Sequence, residues 1–268
     1  MLNGRVYALP LDPSVQIFLY RTDLFHDAKL CRAYYERFHE NLVVPTTYEQ
    51  SLHAAEFFTR SCNPDSPTEY GTTMTCGSAS VAASDFLPFY LSRIDRFGST
   101  PETLRLDSLE MQAAMRQYHA LEKFSCKQNW WGDSIQKFAE GKTAMTVIYS
   151  NYAAELINSG NSVVVGRVGA AILPGCKPLL GGGIVGISRY SQKAEACKQF
   201  FHWYYSADVA SLLVRLGGTS PIVDAYEDFQ NYSIFPWMNT SKKSFGLGQR
   251  GVINQTPERF SIPKYEFA

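Results

Sequence analysis

The chain has 268 residues, 45% of them hydrophobic, with 25 Lys and Arg set against 25 Asp and Glu. That length and apolar content suffice for one large domain or two lobes with a packed core, and a neutral charge balance supplies no field to draw nucleic acid or an anionic membrane. No apolar run approaches a membrane span, Met1-Leu2-Asn3-Gly4-Arg5 opens no signal-peptide core, and Cys31, Cys62, Cys76, Cys126, Cys176 and Cys197 form no close cluster of metal-ligand spacing. The expectation is a soluble protein without metal or cofactor. Scattered cysteines in a chain of this length favour small buried thiols in a reducing compartment, although their spacing leaves pairing open. Aromatic residues make up 14% of the chain, more flat surface than a core of this size needs, so some of it is expected to face a ligand.

Val6 to Pro10 and Val15 to Tyr20 read as two short strands joined by the turn Leu11-Asp12-Pro13-Ser14. Tyr34 to Phe38 continues a helical pattern. Pro45-Thr46-Thr47-Tyr48-Glu49 opens another helix, with Thr46 as N-cap and Glu49 completing a capping box. Leu52, Ala55 and Phe58 supply its inward face, and the breaker cluster Ser61 to Pro67 ends it. Val81 to Ile94 is apolar enough for a buried helix, followed by a turn at Phe97 to Pro101. Asp107 is placed to cap a helix with Glu110 at its third position, and Met111, Met115 and Tyr118 form its apolar stripe.

Trp130-Trp131-Gly132-Asp133 reads as an interruption. After it, Ile135, Phe138 and Ala139 give an i, i+3, i+4 stripe that runs through Gly141, placed for a left-handed C-terminal cap, into a strand over Thr143 to Tyr149. Tyr152 to Ile157 begins a further helix, and Val163 to Val165 and Val168 to Ile172 are short strands. Pro174 to Pro178 connects stiffly into Gly181-Gly182-Gly183. Ser191 then caps a long helix through Tyr205, and a second runs from Asp208 to Leu216, stopping at Gly217-Gly218. Short strands alternating with helices indicate α/β architecture.

Four stretches stand in one order: Gly4 to Pro10 with Leu19 to Phe25; Val44 to Glu49; Phe138 to Met145; and Leu173-Pro174-Gly175 with Gly181 to Gly183 and the helix Ala194 to Ser206. In that order and spacing the chain resembles family 1 extracellular solute-binding proteins, the sugar-binding, maltose-binding-protein-like components of ABC importers. The resemblance implies a periplasmic-binding-protein-like fold of type II, two lobes with a hinge, the first lobe incomplete because the family's N-terminal stretch has no counterpart here. It further implies that residues 1–175 form most of the second lobe, that 176–228 cross to the first, and that 229–268 return. Without first-lobe partners, the helices from Ala194 to Leu216 would expose Phe200, Phe201, Trp203 and Leu212.

Asp12 and Ser14 fall where the family's first crossing segment lines the cleft; read alone, Asp-Pro-Ser is a solvated turn. Ser150, Asn151 and Tyr152 match a position from which the family's side chains reach ligand, at the carboxyl end of a strand where α/β clefts open, although Ser150 or Asn151 would equally cap the next helix. Trp130, Trp131 and Trp237 are the aromatic candidates for stacking on a sugar's C–H face; adjacent tryptophans point apart, so at most one of the pair stacks, and a core Trp is the plainer reading of each. Ser84 and Asp85 correspond to a ligand-lining helix start in the family. Gly181-Gly182-Gly183-Ile184-Val185-Gly186 matches G-x-G-x-x-G, but Pro178 lies just upstream and a strand follows where a helix should open, which excludes a dinucleotide site. The resemblance makes Gly182 and Gly183 part of a crossing that approaches ligand closely.

His26, His39, His53, His119 and His202 are dispersed and no catalytic motif occurs, so no enzyme is expected. The expected function is binding of a mono- or oligosaccharide for delivery to an ABC permease, by a protein of the cell envelope that is monomeric at full length and makes no nucleic acid contact through this segment. The alternative is the effector-sensing domain of a cytoplasmic transcriptional regulator built on the same fold.

Overall fold

In a computed structural model, which describes residues 6–94, 107–158, 160, 162–227 and 235–249, the chain first pairs as β1 (Leu9–Pro10) and then enters its central strand, β2 (Ser14–Arg21). A short helix α1 (Thr22–Phe25) leads to α2 (Ala28–Phe38), whose Asp27 accepts from the backbone N–H groups of Lys29 and Leu30. The order continues α3 (Tyr48–Phe57), β3 (Thr72–Thr75), α4 (Ala79–Leu91), α5 (Leu109–Glu122), β4 (Ser125–Gln128), α6 (Trp131–Ala139) and β5 (Met145–Tyr149). A 3₁₀ turn at Ser150–Tyr152, α7 (Glu155–Asn158), β6 (Val168–Ala171), a 3₁₀ turn at Pro174–Cys176, β7 (Leu180–Gly181), β8 (Ile184–Val185), α8 (Ala194–Tyr204), α9 (Ala207–Arg215), a 3₁₀ turn at Val223–Tyr226 and α10 (Trp237–Leu247) follow.

β2 is the axis of the molecule. It pairs antiparallel with β5 along one edge, with β6 along the other, and with β7 at its start. Because side chains alternate along a strand, Val15, Ile17 and Leu19 enter one core with Ile135 and Phe138 of α6 and with Ala210, Val214, Trp237 and Met238, while Phe18 enters a second with Phe25, Tyr34, Phe57 and Phe58. Both faces are covered, which explains why β2 carries apolar side chains on each of them from Ile17 to Leu19. Gln16 is fully buried within it, yet satisfied: its Nε2 donates to the Ser84 carbonyl and its Oε1 accepts from Leu179 N–H, each at 2.9 Å. β3 and β4 form a separate parallel pair, and β1 pairs antiparallel with β8.

The αβ unit around Gly141 forms as its residues dictate. Ile135, Phe138 and Ala139 are buried, and Gly141 takes φ +72°, a conformation in which any side chain is strained.

Several local expectations shift. The capping box of α3 uses Thr47 and Gln50 rather than Thr46 and Glu49, with Ser51, Ala54, Ala55 and Phe57 turned inward and Leu52 only half-buried. Ser108, not Asp107, caps α5, so Met111 is buried and Met115 exposed. Trp130 and Trp131 begin α6 instead of interrupting the chain. Val163 to Val165 forms no strand, and α8 starts at Ala194, with Ser191 Oγ accepting only from Lys193 N–H. All six cysteines are free and none is fully buried: Cys62, Cys76 and Cys176 are exposed, and Cys31, Cys126 and Cys197 are half-buried. The expected turn at Phe97 to Pro101 lies outside the described residues.

α8 buries none of its residues; Phe200, Trp203 and, on α9, Leu212 are exposed as expected, whereas Phe201 is half-buried. Its last residue and the one after it reach back to the N-terminal segment: the Tyr204 hydroxyl donates to the Leu11 carbonyl and the Tyr205 hydroxyl to that of Pro10. Among the described residues no helix is long and apolar enough to cross a membrane.

Candidate functional site

The antiparallel register brings the first residues of β2 beside the last of β5, with Gln16 opposite Tyr149 and Ser14 opposite Gly181 of β7. Around that meeting point a cleft of about 300 Å³ opens, lined by Asp12, Ser14, Trp130, Trp131, Tyr149, Asn151, Tyr152, Gly181 and Gly182. Strand ends supply most of it, as is usual for α/β sheets.

One wall is aromatic. Trp131 meets Trp130 at 4.7 Å and Tyr149 at 4.8 Å between ring centres, both edge to face, and the Trp130 indole N–H donates to the Tyr152 hydroxyl at 2.6 Å. These contacts hold the rings in place without covering all of them. Trp130 is 45% exposed and Trp131 only 6%, so the outer indole presents a face and the inner one supports it.

The opposite wall is backbone and one carboxylate. Gly183 N–H donates to Asp12 Oδ1, and Leu11 N–H donates to the Gly183 carbonyl at 2.8 Å, so the Asp12 turn and the glycine segment brace each other. Gly182 has φ +106°, and a Cβ there would collide with the Asp12 carbonyl. Only glycine fits.

Two polar atoms of this lining, Trp131 Nε1 and Asn151 Oδ1, are buried without a hydrogen-bond partner in the protein. An unpaired buried donor or acceptor costs about 1–3 kcal/mol, and both atoms belong to residues that line the cleft. Burial raises the Tyr152 hydroxyl and pushes Tyr149 up to about 12, so both keep their protons and can donate or accept.

Of the residues expected at the site, Asp12, Ser14, Trp130, Trp131, Asn151, Tyr152 and Gly182 line it, with Gly183 immediately behind. Ser150 does not face it: its Oγ is buried and accepts from Val15 N–H at 3.2 Å, pinning the turn to β2. Trp237 is also elsewhere, 2% exposed in the core against Phe235. Ser84 and Asp85 lie on α4. The Ser84 carbonyl serves Gln16, and Asp85 accepts from Thr75 N–H at 3.2 Å and the Tyr118 hydroxyl at 3.1 Å beside a separate cavity of about 30 Å³. Burial pushes the Asp85 carboxyl up to about 7. Tyr149 and Gly181 were not among the expected residues; the signal for Tyr149 was its place as the last residue of the strand that delivers Asn151. Among the described residues no three His, Cys, Asp or Glu side chains converge to hold a metal.

The family profile of bacterial extracellular solute-binding proteins matches residues 1–237. A search of curated protein sequences finds no significant match. Among solved structures, the chain is similar to a solute-binding protein of Agrobacterium radiobacter K84 in complex with ribitol, with TM-score 0.76 and 22% identity, covering 96% of this chain and 64% of that one. Maltose-bound MalE3 of T. maritima superposes with TM-score 0.74 at 20% identity, covering 94% and 63%. A solute-binding protein of Agrobacterium vitis S4 with bound D-mannitol gives 0.73 at 20%, covering 92% and 60%. The chain thus has the α/β fold of periplasmic sugar-binding proteins and spans less than two thirds of the length of each of these structures. It belongs to the bacterial extracellular solute-binding protein family.

Proposed function

We propose that this chain supplies one wall of a carbohydrate-binding cleft, its ligand a mono- or oligosaccharide or a related polyol held for delivery to an ABC permease at the cell envelope. The observation that carries the reading is the half-exposed Trp130 ring lining the same cleft as Asp12 and Asn151. A sugar offers a C–H-rich face to an indole and a rim of hydroxyls to carboxylate and amide, and the unpaired Trp131 N–H suits a ring or hydroxyl oxygen. The similar structures hold maltose, ribitol and D-mannitol, which share this polyhydroxylated chemistry.

In this reading residues 1–175 belong to one lobe, 176–228 cross through β7 and β8 to the other, and 229–268 return, with the paired β1 and β8 in the hinge. Function consists of affinity and closure, without catalysis, and the protein acts as a monomer at full length. The regulator alternative has no observation in its favour. Isothermal titration of the chain with a panel of mono- and disaccharides and polyols tests the proposal; heat only from amino acids or peptides would overturn it.

A further inference from the structure

The charge around the cleft is one-sided. Among its nine lining residues Asp12 is the charged one, and no Lys, Arg or His stands with it. Asp12 and Glu155, the first residue of α7, both act electrostatically on Tyr152 to keep its hydroxyl protonated, and Asp133 of α6 acts in turn on Glu155. Among the described residues none of Asp12, Asp133 or Glu155 forms an ion pair, while carboxylates elsewhere in the molecule, Asp23, Glu36, Glu56, Glu122, Glu140, Glu195 and Glu227, do so. Asp12 lines the cleft itself, and Glu155 stands near enough to act on Tyr152 at its edge. The half-exposed Trp130 ring adds a π-face, which attracts cations, and Asn151 adds a buried acceptor with no donor. Carboxylate, π-face and acceptor all favour the same kind of group, one that carries positive charge and only donates.

Building on the carbohydrate reading above, we propose that the cleft selects a sugar bearing a protonated amine, an amino sugar, over the neutral sugar of the same shape. The ammonium sits between the Asp12 carboxylate and the Trp130 face, and the Trp131 N–H takes a ring or hydroxyl oxygen. A phosphorylated or acidic sugar is disfavoured, since nothing in the lining neutralises it.

Matched sets test this on the full chain: glucosamine, N-acetylglucosamine and glucose, the corresponding galacto and manno compounds, and their β-1,4-linked dimers, each titrated by calorimetry at low and high salt. The expected result is that the free-amine member of one set binds about tenfold more tightly than its neutral and acetylated partners, with the margin shrinking as salt rises. Asp12→Asn keeps an oxygen to accept from Gly183 N–H and so preserves the turn, but should reduce the amine's advantage to about twofold or less. Glu155→Gln should lower it by a smaller factor. Equal or tighter binding of the neutral member overturns the amine preference and leaves the carbohydrate reading standing. Silence from every set also overturns the amine preference, and the wider panel of sugars and polyols then decides the carbohydrate reading.

Discussion

α6 places Trp131, Ser134, Ile135, Phe138 and Ala139 beneath the sheet, whereas α8, richer in aromatic rings, buries none of its own residues. Both helices are amphipathic and of similar length. The difference lies in what stands opposite. α6 has β5 folded directly back on it through Gly141, so its apolar stripe is covered by the strand it launches. Among the described elements α8 has α9 as its main neighbour, and Phe200 packs on Phe201, Trp203 and Tyr204 at 5.7–6.0 Å, a cluster of rings from one helix that covers itself in part. An apolar stripe states that a helix requires cover; the covering element must come from elsewhere in the chain or from another chain.

The sharpest way to break this contrast is a matched pair of truncations. Phe138→Ala removes a fully buried ring and should cost about 3–5 kcal/mol in chemical denaturation, while Phe200→Ala, at 44% exposure, should cost less than about 1 kcal/mol. Comparable losses would mean that the α8 face is covered in solution.

The next effect probes a polar group inside the covered layer. Asp85 has its carboxyl pushed up to about 7 by burial, from an ordinary 3.8. Between those values the folded chain keeps a proton that the unfolded chain has released, so this group's contribution to stability falls as pH rises from about 4 to about 7 and is level beyond. Asp85→Asn should therefore be the more stable form at pH 8, by about 2–4 kcal/mol, and the gap should close toward pH 4. A gap independent of pH would place the charge in solvent.

Gly141→Ala is smaller again. With φ at +72° and Val163 Cγ2 2.9 Å from the new Cβ, it should lose about 1–2 kcal/mol through strain at the end of α6, read as a lower melting temperature. The smallest effect on stability belongs to Trp130→Ala, which should leave unfolding within about 1 kcal/mol because its outer face is exposed, yet weaken sugar binding by tenfold or more. Trp131→Ala, by contrast, should damage both. If Trp130→Ala unfolds the chain as well, its ring is a core element and the cleft reading weakens.

What the sequence made legible follows the range of the forces involved. The run from Ile135 through Gly141 to Tyr149 was readable in full because stripe, cap and strand are all local. β3 and β4 escaped notice: Thr-Thr-Met-Thr and Ser-Cys-Lys-Gln have no apolar run, and only their pairing and the covering helices make Thr72 to Thr75 buried. The caps of α3 and α5 fall within one residue of expectation, since neighbouring Thr46 and Thr47, or Asp107 and Ser108, are chemically equivalent candidates until the backbone chooses, whereas the N-cap position of α8 falls at Lys193 rather than Ser191. The start of α6 was hidden because Trp130, its N-cap, has no oxygen with which to cap. At the cleft, Asn151 and Tyr152 were recoverable from a strand end and a family position, whereas the inward turn of Ser150 depends on a hydrogen bond to Val15, 135 residues away in sequence. Trp237 looked like a stacking residue by type and proved to be core by place.

The hydroxyls of Tyr204 and Tyr205 carry one further consequence. They grip the carbonyls of Leu11 and Pro10, the two residues just ahead of Asp12, from the end of the helix whose aromatic face stands bare. The end of α8 is thereby tethered to the segment that carries Asp12, so the bare aromatic helix and the carboxylate of the cleft share one anchorage.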